Sequence, residues 1–539
     1  MPFLRHAFSL RYCAMTVCAV VTVGFFALAF GAYTFNGFFL FLALAFAALF
    51  ALGLRDLAQT KHAVLRTHPI VGHLRYLLEM ARPEMRQYFF EDDKTGTPFS
   101  RDKRALVYQR AKMQLDKRPF GTEFEVYSEG FEFLRHSIAP RPLCREPFRV
   151  KIGESCRQPY SASIYNISAM SFGALSSNAI RALNAGARRG GFAHDTGEGG
   201  VSPYHLENGG DLIWEIGSGY FGCRLPGGEF SPEKFAERAG DPRIKMVELK
   251  ISQGAKPGHG GVLPAAKVTP EISAIRGVPL GSDCVSPAAH SAFSTPLELV
   301  ALIDRMRELS GGKPAGFKLC IGRPAEFLAI VKAMLETGSH PDFIVVDGKE
   351  GGTGAAPLEF MDHLGMPMRD GLNFVHNALV GAGLREKIRI GAAGKIVSAF
   401  DMARAFALGA DWCNAARGFM FALGCIQSQS CHTDRCPTGV ATQDANLGRG
   451  LVVADKATRV FNFHSATLET LAELTAAAGL DHPGDFRPAH FARRISPAEI
   501  RGFDELYPAL APGELVSGTL DPRFEKAWKA ARPDSFAAA

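Results

Sequence analysis

Two different hydrophobic rhythms divide the chain. Residues 13–54 are apolar throughout and carry no charged side chain, with Arg5 and Arg11 before them and Arg55, Lys61 and Arg66 after. One bilayer crossing takes about 20 helical residues, so this run predicts a transmembrane helical hairpin over residues 1–57, with Thr34-Phe35-Asn36-Gly37 as the turn. Basic residues at both outer ends, with none in the turn, orient both ends toward the cytoplasm. The expected location is the inner (cytoplasmic) membrane, with the bulk of the chain facing the cytoplasm. The alternative is a cleaved signal peptide followed by a stop-transfer anchor, which reverses that orientation.

Residues 58–150 mix basic helical stretches (73–82 and 104–117) with the aromatics Tyr88, Phe89 and Phe90, and read as a helical connector. From residue 163 the rhythm changes. Short β-rich apolar runs end in Gly or Ser loops and lead into Ala- and Leu-rich helical stretches: 163–170 then 178–189, 246–252, 317–321 then 325–336, 343–347, 388–392 then 399–408, and 412–416. Repeated strand, loop and helix predict an α/β fold, a (β/α)8 TIM-type barrel over 151–445 with its site on the loops at the C-terminal strand ends. A doubly wound sheet uses the same units, but no G-x-G-x-x-G opens a helix after the first strand. Residues 446–539, helical and then Pro-rich, read as a C-terminal extension over the barrel.

Composition narrows the picture. The 539 residues are 47% hydrophobic and 21% charged, as in globular proteins, and a net charge of +6 with no run of like charges gives no case for nucleic-acid binding. Eleven cysteines, mostly scattered singly, suit a reducing compartment better than a disulfide framework.

Three loops after predicted strands are rich in glycine: Gly351-Gly352-Thr353-Gly354, Gly391-Ala392-Ala393-Gly394 and Ala416-Arg417-Gly418. Glycine lets backbone N–H groups approach an anion, so together they favour a phosphate-bearing cofactor over tight turns alone. Lys318 lies inside an apolar strand and either partners a buried anion or reaches solvent at a strand edge. Cys425, Cys431 and Cys436, followed by Pro437, offer thiolates for an iron-sulfur cluster; a zinc site completed by His432, or plain buried thiols, fits the spacing equally.

These residues bring a resemblance. Ser168-Ala169-Met170-Ser171-Phe172-Gly173, Thr196-Gly197-Glu198-Gly199-Gly200, Gln253-Gly254-Ala255-Lys256-Pro257-Gly258, Gly351-Gly352-Thr353-Gly354-Ala355 and the cysteine loop through Gln443 follow in the order of the synthase domain of glutamate synthases. The chain resembles that family's stand-alone, membrane-tethered bacterial members. The resemblance implies FMN and a 3Fe-4S cluster, with hydride passing between FMN and a 2-imino or 2-amino acid such as 2-iminoglutarate or glutamate. It implies that Ala169, Met170 and Ser171 line the flavin, and that Gln253 and Lys318 meet its polar edge. Gly352, Thr353, Gly354, Gly394, Ala416, Arg417 and Gly418 would hold phosphate and ribityl, and Cys425, Cys431 and Cys436 the cluster. Glu198, Lys256 and Arg276 match positions around the substrate, a small 2-oxo acid or amino acid, and around ammonia access. Ferredoxin or a separate NAD(P)H-oxidising subunit would supply electrons. Read without the family, Glu198 is a loop carboxylate, Lys256 a solvated lysine and Met170 core filler.

The sequence also departs from the family. The expected chain lacks a glutaminase domain. Val262 stands where glutamate synthases carry a substrate-holding glutamine, His259 stands where they usually carry an acid, and Ala393-Gly394-Lys395 replaces Asp-Gly-Gly. Two other functions therefore stay open, a flavin-containing transferase joining an amine to glutamate, as in N-methylglutamate synthase, and a membrane-anchored electron-relay subunit.

Overall fold

The computed structural model describes residues 8–9, 11–31, 35–507, 509–518 and 521–537. Arg5 and Thr34 of the expected hairpin lie outside them. The chain forms two compact units, Met1–Arg101 and Asp102–Ala539.

In the first unit, α1 (Cys13–Phe30) and α2 (Gly37–Ala58) pack side by side, with the Phe25 ring centroid 6.0 Å from both Phe39 and Phe46. Asn36 starts α2 by accepting the Phe38 N–H at 3.1 Å. Among the described residues these two helices are long and apolar enough to cross a membrane. A soluble core helix hides its apolar surface, whereas here Val20, Val23, Phe38 and Phe41 all face outward. The next long helix is α3 (Gly72–Met85), continued by a wider helical turn over Arg86–Phe90.

The second unit is built on a closed barrel of eight parallel strands. They are β1 (Tyr165–Ile167), β2 (His194–Asp195), β3 (Leu212–Ile216), β4 (Ile244–Lys250), β5 (Ala315–Leu319), β6 (Phe343–Asp347), β7 (Arg389–Ala393) and β8 (Trp412–Ala415), and β8 pairs back on β1. Closure rules out the doubly wound sheet.

Several boundaries differ from those read in the sequence. The run at 163–170 is two elements: Tyr160–Ser163 pairs antiparallel with Arg149–Ile152 outside the barrel, and only Tyr165–Ile167 joins the wall. Strand β2 gave no separate signal, because it is two residues long and is followed only by the short helix Pro203–Leu206, and β3, Leu-Ile-Trp-Glu-Ile, went unread although it is apolar apart from Glu215. The helix expected over 104–117 runs over Arg101–Ala111.

Side-chain size plugs the barrel floor. A Cβ on Gly391 would lie 2.5 Å from the Trp412 ring and one on Gly316 would lie 2.7 Å from Phe343, so two glycines make room for two large aromatic residues. Outside the wall, α4 (Ser177–Gly190) packs along α5 (Val453–Ala477), which also touches the helices Ala399–Ala407 and Arg417–Leu423. The ring of helices thus closes through a segment that follows residue 446. Glu132–Leu134 pairs with Phe491–Ser496, and the buried Glu132 carboxylate is gripped by Arg369 at 2.5 Å, Arg404 at 2.6 Å and Arg493 at 2.8 Å.

Candidate active site

Above the aromatic floor the barrel interior turns polar. Lys318 on β5 forms an ion pair with Glu215 on β3 and lies 3.5 Å from Glu248 Oε1 on β4, and all three side chains are almost wholly buried. The open alternative of a lysine reaching solvent is thereby settled. One carboxylate oxygen each from Asp195, Glu215 and Glu248 lie within 4.8 Å of one another. Three carboxylates facing one ammonium cannot all ionise cheaply in a dry interior. Burial, then the charges of Asp195 and Asp347, raise Glu248 well above the usual carboxylate range, and burial raises Asp195 despite Lys318. Among the described residues Glu248 Oε1 has no hydrogen-bond partner, with Lys318 Nζ 3.5 Å away.

The rim over β2 and β4 gathers the residues expected around the substrate. Glu198 leaves β2 on the loop shaped by Gly197, whose φ of 64° and whose Cβ position 2.8 Å from the Ser171 nitrogen require glycine. Its Oε1 meets Lys250 Nζ at 2.8 Å, and Lys250 also donates to Gln253 Oε1 at 2.6 Å. Burial would raise the Glu198 carboxyl, but Lys250, Arg276 and Lys256 outweigh it and hold Glu198 ionised. Lys256 is buried, not solvated; it donates to the Ala355 carbonyl at 2.8 Å, and burial lowers it to about 8 against the pull of Glu198. Arg276 donates to the Phe172 carbonyl at 3.1 Å and sits 5.3 Å from the Phe221 ring centroid, while its Nε is buried without a hydrogen-bond partner. Met170 is buried between the loops after β1 and β2, its N–H donating to the Asp195 carbonyl at 3.3 Å.

The rim over β6, β7 and β8 is cationic. Asp347 at the end of β6 accepts the Gly254 N–H at 2.9 Å, joining the β4 and β6 loops. A side chain on Gly352 would meet Arg417 Nε at 2.8 Å, whereas Gly354 has open space beside it. Arg417 donates to the Glu350 carbonyl; burial lowers it to about 10 even though Asp347 and Glu350 favour its charge. Lys395, on the loop after β7, is lowered by burial and then by the charge of Arg417. Lys395 holds a left-handed φ of 52°. Ala416 precedes the helix Arg417–Leu423, and a Cβ on Gly418 within it would lie 3.3 Å from the Phe463 ring, so its lack of a side chain serves the wall.

The cysteine loop follows that helix. Burial pushes Cys425 up to about 12, and the neighbouring Cys431 and Cys436 raise it further. Burial would also raise Cys436, but the Thr438 hydroxyl and the N–H groups of Ala441, Thr438 and Val440 leave it lowered. His432, the fourth ligand of the zinc alternative, is exposed. Lys267 ties this loop to the β1 loop by donating to the carbonyls of Ala174 at 2.6 Å, Ala441 at 3.2 Å and Cys431 at 3.4 Å. Gln443 does the same through Gly173 at 3.0 Å and Leu175 at 2.9 Å.

Asp195, Glu215, Glu248, Lys250, Lys267 and Asp347 were not among the expected site residues. Charged residues at alternate positions of apolar runs, as in Glu248 and Lys250, carried the same signal that singled out Lys318.

Comparison with known proteins places this geometry. Residues 144–481 match the family model described as the conserved region in glutamate synthase. The chain is 37% identical over 495 residues to the glutamate synthase large subunit-like protein YerD of Bacillus subtilis (strain 168), covering 84% of this chain and 94% of that one. It is 35% identical over 352 residues to the archaeal glutamate synthase (NADPH) of Methanocaldococcus jannaschii, covering 65% of each. Against the glutamate synthase (NADPH) large chain of Bacillus subtilis it is 33% identical and spans 21% of that protein's length.

Proposed function

The chain belongs to the glutamate synthase family, and from that premise we propose that it is a membrane-tethered oxidoreductase using FMN and a 3Fe-4S cluster to interconvert a 2-imino dicarboxylate and its 2-amino acid. The carrying observation is the set of cations at the strand ends: Lys250 lies 2.8 Å from Glu198, Lys256 donates to the Ala355 carbonyl and Arg276 to the Phe172 carbonyl, while Lys395 and Arg417 follow β7 and β8.

The residues fit both groups. Arg417, Lys395 and the open backbone at Gly354 suit the phosphate, Gln253 beside Lys250 would meet the polar edge of the isoalloxazine with Lys318 beneath it, and the thiols of Cys425, Cys431 and Cys436 on one loop suit the cluster. When bound, FMN supplies the hydride and the cluster carries electrons singly from ferredoxin or a separate NAD(P)H-oxidising subunit.

The chain's own residues do the rest. Arg276 and Lys256 grip substrate carboxylates, Arg276 with the two-pronged geometry of a guanidinium. Glu198, held ionised, attracts ammonium to the oxo group and faces the cationic nitrogen as the amine forms, the protons being exchanged with solvent. Condensation of ammonia with the 2-oxo acid releases one water, and hydride plus proton completes the amino acid. Val262 replaces a glutamine contact, so the preferred dicarboxylate is open to differ from 2-oxoglutarate.

Flavin and iron analysis of the intact purified protein tests this reading. FMN near one per chain and iron near the roughly three atoms of such a cluster are expected. Cys431→Ser is expected to lose iron while keeping flavin. Protein that holds neither group contradicts the proposal.

A further inference from the structure

Helix α3 presents an apolar stripe that no other described residue of its own unit covers. At 3.6 residues per turn, Leu74, Leu77, Leu78, Ala81 and Met85 share one face, with Arg75, Glu79, Arg82 and Arg86 on the adjoining face. Leu74, Leu77 and Leu78 are each 55% exposed, and the turn that continues the helix exposes Phe89 by 78% and Phe90 by 74%. A helix of a soluble domain buries such a face.

Its position is fixed relative to α2. Asp56, in the last turn of α2 and buried, accepts the Ile70 N–H at 2.9 Å and bonds the His73 ring at 2.9 Å, so the first turn of α3 is clamped beside the end of the second apolar helix. Ile70 takes a φ of 68°, a conformation a β-branched residue adopts only under constraint, and the chain reverses there into α3. Gly53 permits the close approach, since a Cβ on it would lie 3.1 Å from Ile70. If α2 ends at the membrane boundary, α3 begins there too.

We propose that α3 and the turn to Phe90 lie in the cytoplasmic interface of the lipid bilayer, with the leucine stripe and Phe89 and Phe90 among the acyl chains. Arg75, Arg82 and Arg86 then meet anionic headgroups. This rests on the membrane reading of α1 and α2, and adds a third contact that fixes how the hairpin's cytoplasmic end meets the surface.

The test uses the intact protein in bilayers containing phosphatidylglycerol and lipids brominated on their acyl chains. Tryptophan emission is compared between Leu78→Trp, Phe41→Trp in α2, and the unaltered protein as background for its own tryptophans. Strong quenching at both positions is expected. Quenching at position 41 with a bright signal at position 78 overturns the interfacial helix while leaving the tether standing. No quenching at either position overturns the tether, and the proposal with it. Reversing Arg75, Arg82 and Arg86 to Glu in the Leu78→Trp protein is expected to weaken quenching in phosphatidylglycerol bilayers and not in zwitterionic ones. An equal response in both overturns the headgroup contact.

Discussion

At the scale of single residues, the buried charge layer decides most. Lys318 is the ammonium among Glu215, Glu248 and Asp195, so Lys318→Met leaves Glu215 ionised without its partner. Breaking a buried pair in this way costs about 3–5 kcal/mol, which denaturant unfolding of the protein will show. Burial and the charges of Asp195 and Asp347 raise Glu248 well above the usual carboxylate range, so Glu248→Gln, which keeps the shape of the neutral acid, is expected to stay within about 1 kcal/mol of the parent. A loss as large as that of Lys318→Met would mean that Glu248 is ionised.

Lys256 gives a pH dependence. Its ammonium is lowered to about 8, so it is charged below that pH and neutral above it. A substrate dicarboxylate is gripped by the charged form, hence kcat/KM falls as pH rises through about 8. Lys256→Arg should move that limb upward, because a guanidinium stays protonated. A limb that does not move assigns the titration to another group.

Lys395 combines strain with charge. It sits at a left-handed φ of 52° where the family carries glycine. Lys395→Gly relieves the backbone and is expected to change stability by no more than about 1 kcal/mol in either direction, since glycine also loosens the unfolded chain. The same change removes a cation from the cluster with Arg417, so FMN retention measured by equilibrium dialysis should weaken roughly tenfold, about 1.4 kcal/mol.

At the scale of elements, the strands with continuous apolar sequence were legible: β6 runs over Phe343–Asp347 as read, and β4, β5, β7 and β8 shift by only a few residues. β2 was not, because two residues cannot show a period and the short helix Pro203–Leu206 gives no amphipathic signal after it. The glycine loops announced themselves through composition. Their use did not, since Gly418 serves packing against Phe463 while Gly354 stays open, and only the fold distinguishes the two. The cysteine triplet was visible by spacing, but Lys267, which bonds main-chain carbonyls of both the cysteine loop and the β1 loop, carries no local motif. Lys267→Met is expected to free those carbonyls and to shift the reduction potential of the iron-sulfur signal in an anaerobic redox titration followed by electron paramagnetic resonance. An unchanged potential would reduce Lys267 to a packing role.

At the scale of the whole molecule, an eight-stranded barrel carries Glu198 with Lys250 at the mouth end of one part of its wall and Lys395 and Arg417 after β7 and β8, and in the proposed function these meet a dicarboxylate with ammonia and a phosphate respectively. Two apolar helices precede it in the chain, followed by α3 with its exposed Leu74, Leu77 and Leu78. Electron supply and hydride use would therefore both be organised from the barrel rim. The central claim is that this mouth reduces an imine formed from a 2-oxo dicarboxylate and ammonia. Its most direct test is anaerobic: the purified protein is reduced, mixed with 2-oxoglutarate and related 2-oxo dicarboxylates in the presence of ammonium, and followed by flavin absorbance and amino-acid analysis. Return of the oxidised flavin spectrum with an equivalent yield of the matching amino acid, dependent on both the oxo acid and ammonium, is the predicted result. A flavin that stays reduced with every oxo acid, or reoxidises without amino acid being formed, would contradict it.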